Sequence, residues 1–415
     1  MAIFLTFVNL AIKIIHQIDL IKILHTTLFI KKLRRYFLLL NCPVCAAKEF
    51  QKVLKFEKAP IFQLVQTSEK ITSDYFAIIE IVRCQICKHI YNRAYNKEVG
   101  ERMYKGNILS NVPVNIAMSK NLEKIAEWIG IPQYNNKRVI EIGAGSGHLS
   151  RILAQRAKSI LVFEPSMGLR GDMLPENNIN IVNEPFTNSK VNEAADLIVC
   201  RQVLEHIAEP LEFLKEIRLS LTDTGYFYLE VPCTEYIEKK ISIVDFHYPH
   251  VQYFHKPNLL ALAAKAGLVA EREWHLMDGH DFGVMMRPKI GNSSHQDITS
   301  VQFSNNLTAN LAGYLSQGHK FLAGLSANLA LYGTSWHGVA FLNAFQSSCN
   351  FVYAFDDNID YVNHSLYSYQ QTVPIFSPIY QKLKDIDIII ITAFLHQNEI
   401  AERLREKGFK GKILC

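Results

Sequence analysis

An α/β chain is predicted, with a Rossmann-like core between a cysteine-bearing N-terminal module and a second, C-terminal α/β unit. Three observations predict it. Residues 139–150 read VIEIGAGSGHLS, an apolar run that ends in a glycine turn and opens a helical stretch. Strand-like and helical segments alternate on both sides of that turn, the pattern of a parallel sheet covered on two faces. Ahead of it, four of the eight cysteines form two C-x-x-C pairs.

The 415 residues leave room for two or three domains, each with its own core. A composition of 49% hydrophobic and 20% charged residues is that of a globular protein. The formal charge of +5 is small for this length and gives no concentrated basic face, so nucleic acid is not expected as a partner. The other cysteines, Cys200, Cys233, Cys349 and Cys415, are scattered, which fits a reducing cytoplasm rather than a disulfide framework.

Residues 1–40 are apolar but interrupted by Lys13, His16, Asp19 and Lys22. Their longest uncharged apolar run is about a dozen residues, short of a membrane span. No basic segment precedes it and no small-residue cleavage site follows, which argues against a signal peptide. Three readings stand: a membrane-surface helix ending in KKLRR, a partner-docking helix, or a start site assigned upstream of the true one. The last is favoured, because an orderly domain begins at Asn41. Membrane contact is expected only if this extension is genuine.

The order of elements divides the chain at 41–95, 96–290 and 291–415. The first part holds NCPVC and RCQICKHIYN around strand-like runs such as YFAIIEIVRC. In the second, NIAMSKNLEKIAEWIG (115–130) carries apolar residues at three- and four-residue spacing, as a helix does. RVIEIGAG, SILVFEPS, DLIVCRQ and GYFYLEVP then read as strands separated by helices. HKPNLLALAAKAGL places Pro257 in the first turn of a helix and Gly267 at its end. Strands near 269–276 and 281–287 meet through MDGH as a hairpin appended to the sheet. After a polar break at KIGNSSHQDITS, a helix near 303–327 leads into a second set of strands, from LALYGTSWHG to KILC.

In EIGAGSG the glycines are Gly143, Gly145 and Gly147, with Ala144 between the first two. A dinucleotide turn reads G-x-G-x-x-G, and here the third glycine comes one residue early. Glu141, inside the strand end, would repel a pyrophosphate but suits a cationic ligand. Glu164 ends the next strand, placed to accept both hydroxyls of a ribose. Acid, glycine turn and second acid describe a site for an adenosine that carries a positive group. A nicotinamide enzyme is the least favoured reading.

These residues resemble those of class I S-adenosylmethionine-dependent methyltransferases. The resemblance implies that Glu141, Gly143, Ala144, Gly145 and Gly147 approach the methionine part of the cofactor, with Glu164 on its ribose. DLIVCRQVLEHIAEP (196–210) resembles that family's fourth strand and loop, which puts Arg201 and Gln202 along the cofactor, with Glu205–His206 beginning the next helix.

Cys42, Cys45, Cys84 and Cys87 form two knuckles separated by 38 residues. Four thiolates in this arrangement can complete a closed tetrahedral zinc shell, so the metal expected is structural. The redox alternative needs one pair beside a thioredoxin-like helix, and none is evident. His89 is read as a bystander. The layout of zinc module, methyltransferase core and C-terminal α/β domain extends the resemblance, over residues 41–415, to the zinc-binding sugar C-methyltransferases. That family implies a small-molecule acceptor, a nucleotide-linked keto-sugar, methylated at carbon.

Carbon methylation needs a base that makes an enolate beside a carbonyl. The candidate zone is DFHYPHVQYFHKP (245–257). The resemblance places His250 at the family's base, while His247 and Pro249 stand where a tyrosine and a glutamate are expected. His247 is read as a donor to the developing oxyanion, and His280 in GHDFG as a further candidate. In the C-terminal unit, Gly333, Ser335 and Gly338 open a helix whose N–H groups could hold a phosphate, with Asp356 or Asp357 ending the next strand; a purely structural domain is the alternative. An O- or N-methyltransferase on another metabolite and a non-catalytic cofactor-binding homologue also remain open. The oligomeric state is not legible in these residues.

Overall fold

A computed structural model of the chain describes residues 39–106, 116–166, 176–289 and 306–415. The expected N-terminal extension lies outside these residues except for its last two positions, and so does nearly all of the polar break after Lys289. Among the described residues no helix is long and apolar enough to cross a membrane.

Four strands precede the core: β1 (Phe50–Pro60), β2 (Val65–Gln66), β3 (Phe76–Cys84) and β4 (Ile90–Asn92). β1, β3 and β4 form an antiparallel sheet. One C-x-x-C pair sits in the turn before β1, the other in the turn joining β3 to β4. The two turns are alike. In each the residue after the second cysteine, Ala46 (φ 62°) or Lys88 (φ 60°), takes the left-handed conformation that closes a tight knuckle.

The core strands are β5 (Arg138–Ile142), β6 (Ser159–Phe163), β7 (Ile179–Val182), β8 (Ala195–Arg201), β9 (Leu221–Pro232), β10 (Gln252–Tyr253), β11 (Leu268–Leu276) and β12 (Asp281–Pro288). Seven of them form one sheet in the order β7-β6-β5-β8-β9-β12-β11. β5 to β9 run parallel, and β12 runs antiparallel between β9 and β11. The hairpin expected at MDGH therefore exists and is appended to the sheet, its second strand against β9 and its first at the edge.

Alternation along each strand feeds two apolar layers. Ile140, Ile142, Ile198 and Phe227 pack on one side with Leu214, Ile217, Leu259 and Leu262. Val139, Leu197, Val199 and Tyr228 pack on the other with Ile125, Ile129, Leu149 and Leu153. Strand order reverses between β5 and β8, which opens a crevice at their carboxyl ends.

The C-terminal unit is a second seven-stranded sheet, built from β13 (Leu329–Tyr332), β14 (Phe351–Phe355), β15 (His364–Tyr367), β16 (Thr372–Phe376), β17 (Ile388–Ile391) and β18 (Lys412–Leu414). Its seventh strand is β2, which pairs with β15. The N-terminal sheet in turn takes its fourth strand from the core: β10 pairs with β4, Gln252 opposite Tyr91 and Tyr253 opposite Ile90. These two cross-pairings stitch the three parts together, and the second of them builds the 245–257 segment into the cysteine-bearing sheet.

Candidate functional site

The strand β5 ends at a turn in which every second residue has left-handed backbone. Gly143, Gly145 and Gly147 have φ of 73°, 57° and 75°, a region open to glycine at little cost. At Gly143 there is a second reason: a Cβ there would come within 2.3 Å of Val203 Cγ2. Gly147 caps the helix His148–Ala154.

The turn faces a cleft of about 1200 Å³ between the carboxyl ends of β5 and β8 and the C-terminal unit. Glu141, Gly143, Ala144, Gly145, Glu164, Arg201 and Gln202 line it, as do His247, His250 and His280. Gly147 lies outside the lining, behind the turn.

Glu164 is buried, and each carboxylate oxygen accepts a backbone N–H, from Gly145 at 2.8 Å and from Ser166 at 3.0 Å. Each oxygen keeps a lone pair for a further donor such as a hydroxyl. Glu141, also buried, accepts the Ser150 hydroxyl. Burial pushes its pKa up to about 7, against the opposing pull of that hydroxyl and of the Arg201 guanidinium. The floor of the cleft therefore holds an acid poised near neutrality, which an incoming cation would ionise. Open glycine backbone and two inward acids fit a cationic adenosyl ligand.

Arg201 is engaged by an acid that the sequence reading did not single out. Glu230, at the end of β9, takes a two-point contact from Arg201 (2.9 and 3.1 Å) and the Tyr228 hydroxyl at 3.0 Å. Gln202 has φ 52°, a strained conformation held by its N–H bond to the Glu230 carbonyl at 2.9 Å. This pins the β8 loop beside the glycine turn.

The wall of the cleft formed by the 245–257 segment is crowded with imidazoles. The His247 and His250 ring centroids are 3.9 Å apart, and both are buried. Neither Nδ1 has a hydrogen-bond partner among the described residues. Burial first, then neighbouring imidazoles, holds both pKa values well below the usual histidine range, so both rings are neutral at physiological pH. His247 also stacks on Trp336 of the C-terminal unit at 5.4 Å. His206 bonds the Pro249 carbonyl through Nδ1 at 2.8 Å.

Glu205 lies within reach of this group, in a 3₁₀ turn rather than the helix expected there. It is 1% exposed, its carboxylate oxygens have no hydrogen-bond partner among the described residues, and burial pushes its pKa well above the carboxylate range. The sequence signal for it was an acid flanked by Leu204 and Ile207, in a segment that reads as amphipathic helix.

His280 differs from its neighbours. Burial alone would lower its pKa, but Asp245 on Nε2 (3.1 Å) and Asp281 on Nδ1 (2.8 Å) raise it to about 10. Asp245 also faces His337 of the C-terminal unit at 3.6 Å.

The four cysteines expected to hold metal come together. Cys42 and Cys87 sulfurs are 3.5 Å apart, as are those of Cys45 and Cys84, and all four lie within 4.8 Å of one another. A tetrahedral zinc with bonds near 2.3 Å sets its sulfurs about 3.8 Å apart, so the cluster fits such an ion. His89 is engaged elsewhere, with Nε2 2.9 Å from Gln252 Oε1. Asn258 and Lys265 donate to the Cys87 and Val44 carbonyls and dock both knuckles on the core helix Lys256–Lys265.

In the C-terminal unit, Asp356 accepts both the N–H and the hydroxyl of Thr334 at 2.8 Å. Asp357 takes Arg403 at 2.6 Å and Tyr332 at 2.9 Å. The Gly333–Gly338 turn thus meets a carboxylate of its own, and Gly338 is small because a Cβ would strike the Gly333 carbonyl at 2.3 Å.

Comparison with known proteins adds a family to this geometry. A family model described as a methyltransferase domain matches residues 114–273. Over those residues the chain is similar to methyltransferase domains. It is 29% identical over 90 residues to an uncharacterized methyltransferase of Staphylococcus carnosus, covering 21% of this chain and 44% of that protein. It is 25% identical over 129 residues to a tRNA U34 carboxymethyltransferase of Pseudoalteromonas atlantica, covering 29% and 40%. A ribosomal RNA small subunit methyltransferase A of Metamycoplasma arthritidis is 26% identical over 102 residues, covering 24% and 39%. The chain spans about two fifths of the length of these relatives. Among solved structures, an S-adenosylmethionine-dependent methyltransferase from Clostridium acetobutylicum aligns at TM-score 0.34 and 11% identity, covering 40% of this chain and 90% of that one. Magnesium protoporphyrin IX methyltransferase from Synechocystis aligns at 0.34 and 13%, covering 43% and 89%.

These matches correct one expectation. The methyltransferase domain has relatives named for tRNA and ribosomal RNA, so the exclusion of nucleic acid as a partner does not stand. That exclusion rested on a net charge of +5, which sums the whole chain and says nothing of a local basic face. None of the matched relatives is named for a nucleotide-linked sugar.

Proposed function

We propose that the chain transfers a methyl group from S-adenosylmethionine to a carbon beside a carbonyl, in an acceptor of keto-sugar type that sits between the methyltransferase sheet and the C-terminal unit. The observation that carries this reading is the pair of neutral, buried imidazoles of His247 and His250, on the wall of the same cleft as the glycine turn. When bound, S-adenosylmethionine supplies the methyl group. Glu141 meets its cationic end, Gly143, Ala144 and Gly145 let it approach the backbone, Glu164 takes the ribose hydroxyls, and Arg201 and Gln202 flank it. Gly147 shapes the turn from behind.

His250 takes the proton from the acceptor carbon, leaving the electron pair shared with the carbonyl oxygen. His247, through its ring N–H, donates to that oxygen. Glu205, kept protonated by burial, stands ready as a second donor where Pro249 has removed the acid that the family resemblance would put there. The working division of the chain is a zinc module at 41–95, the methyltransferase at 96–290 and a substrate-covering unit at 291–415. Cys42, Cys45, Cys84 and Cys87 hold a structural zinc with no open position. A cytoplasmic location agrees with four reduced cysteines in that role.

A second reading keeps the same cofactor site with an RNA acceptor, on the names of two matched relatives. The test is calorimetric titration of S-adenosylmethionine into the full chain, with NAD as control and Glu164→Ala as variant. Labelled methyl transfer to keto-sugars and to unmodified RNA follows. Micromolar binding lost in the variant, with transfer to a keto-sugar that needs His250, supports the first reading. Label in RNA alone favours the second, and transfer that survives His250→Ala favours an oxygen or nitrogen acceptor. Binding without turnover on any acceptor would mark a non-catalytic homologue.

A further inference from the structure

Two groups of side chains at the acceptor end have ligand-forming chemistry beyond the roles given above. One is Glu205 with His206 and His250. The other is Asp245 with His280 and His337, whose donor atoms lie within 4.8 Å of one another. We infer that Asp245, His280 and His337 form a second, open metal site that takes a divalent transition-metal cation at the wall of the acceptor cleft.

The three residues come from separate places in the chain. Asp245 ends the 3₁₀ turn Ile243–Asp245, His280 stands in the turn between β11 and β12, and His337 lies in the first turn of the helix Trp336–Phe345. Asp245 Oδ1 is 3.1 Å from His280 Nε2 and 3.6 Å from His337 Nε2. Ligands at about 2.1 Å from one ion, at angles between octahedral and tetrahedral, stand about 3.0–3.4 Å apart, so small adjustments admit an ion.

Two further observations point to a ligand. Asp245 is 0% exposed, yet its Oδ2 has no hydrogen-bond partner among the described residues. A buried carboxylate oxygen left bare is costly, and a cation removes that cost. His280 is held from behind by Asp281, 2.8 Å from Nδ1. This carboxylate–imidazole arrangement fixes the tautomer with a lone pair on Nε2 and is how metal-binding histidines are oriented. In the metal-free protein a proton between Nε2 and Asp245 takes the ion's place.

Two imidazoles and one carboxylate suit zinc, iron, manganese or cobalt, and three protein ligands leave positions open. Asp245, His280 and His337 all line the cleft that His247 and His250 line, so an open position faces the acceptor. There the ion would polarise an acceptor oxygen, whether carbonyl or hydroxyl. Phe394, 5.7 Å from the His280 ring and 5.0 Å from His337, and Tyr236, 5.3 Å from His280, wall the site with aromatic surface. The role of the ion rests on the acceptor occupying this cleft. Its binding does not.

The test is cobalt(II) titration of the full chain with zinc already on its cysteines. The expected result is one equivalent of cobalt bound with weak visible d–d bands and no thiolate charge-transfer band. His337→Gln should lose that equivalent while elemental analysis still finds one zinc per chain, which reports an intact fold. Asp281→Asn should keep the spectrum but weaken cobalt binding by about 10–100-fold. Cobalt that only displaces zinc, or uptake unchanged in His337→Gln, overturns the inference. S-adenosylmethionine titration of the same sample separates the two proposals. Cofactor binding without cobalt uptake removes this site alone, and cobalt uptake without cofactor binding removes the methyltransfer reading alone.

Discussion

Glu164 accepts the N–H of Gly145 at 2.8 Å, and this bond ties the end of the second core strand to the glycine turn. One carboxylate thus shapes the turn and faces the cleft. Glu164→Ala removes both functions, and a charged hydrogen-bond acceptor is worth about 1.5–3 kcal/mol. S-adenosylmethionine affinity should fall by about tenfold or more, with Glu164→Gln intermediate. Calorimetry checks this, and equal affinities in all three proteins would remove Glu164 from the cofactor site.

Gly143 has no room for a side chain. Its φ is 73°, and an added Cβ meets Val203 Cγ2 at 2.3 Å. Gly143→Ala should cost about 1–3 kcal/mol in chemical denaturation. Adding Val203→Ala should recover the steric part but not the backbone part. A double variant as unstable as the sum of the two single ones would show that the contact does not matter.

Glu141 makes cofactor binding depend on pH. Its pKa is raised to about 7, so the carboxyl is neutral below that value and ionised above it. A cationic ligand favours the ionised form, so affinity should decline as pH falls through 7, and binding near pH 6.5 should release protons. Titrations in buffers of different ionisation enthalpy measure that release. Glu141→Gln should flatten the profile; a wild-type profile already flat between pH 6 and 8 would refute the assignment.

His250 should matter to turnover and little to cofactor affinity. Its pKa lies well below the ordinary histidine value, so the base is already neutral and the acid limb of the rate profile should fall below pH 6.5. His250→Ala should lower the methyl-transfer rate by about 10²–10⁴-fold with the cofactor dissociation constant within twofold. A normal rate in the variant would assign the base elsewhere.

Removing the metal from the cysteine cluster should loosen more than the N-terminal module, because β10 carries the 245–257 segment into the same sheet. Cys84→Ser should lose the zinc, with a destabilisation above about 3 kcal/mol. Hydrogen exchange should rise first in β3, β4 and β10. Unchanged exchange in β10 would separate the two elements.

Much was legible locally. The run Val139–Ile142 followed by glycines at every second position encodes a strand, a left-handed turn and a helix within a dozen residues. Each C-x-x-C pair encodes its own knuckle in the same way. The MDGH hairpin and its addition to the sheet were also legible, but which of its strands meets β9 was not: a hairpin's sequence specifies its own pairing and leaves the choice of neighbours to packing. The pairings of β2 with β15 and β10 with β4 were hidden for the same reason, being two-residue strands without a periodicity of their own.

The sequence by itself determined the type of domain, the acid–glycine turn–acid arrangement and the two cysteine knuckles, since these depend on residues close together or on a simple spacing rule. Only the tertiary structure decided what lines the histidine-rich wall of the cleft. Glu230 against Arg201, the bare carboxylate of Glu205, and Asp245 between His280 and His337 join residues up to 92 positions apart, from Asp245 to His337. Contacts at that range arise from how layers pack and how much water they exclude. Burial then makes His250 neutral, while Asp245 and Asp281 keep His280 cationic against the same burial, a difference in charge state that one-letter code writes the same way.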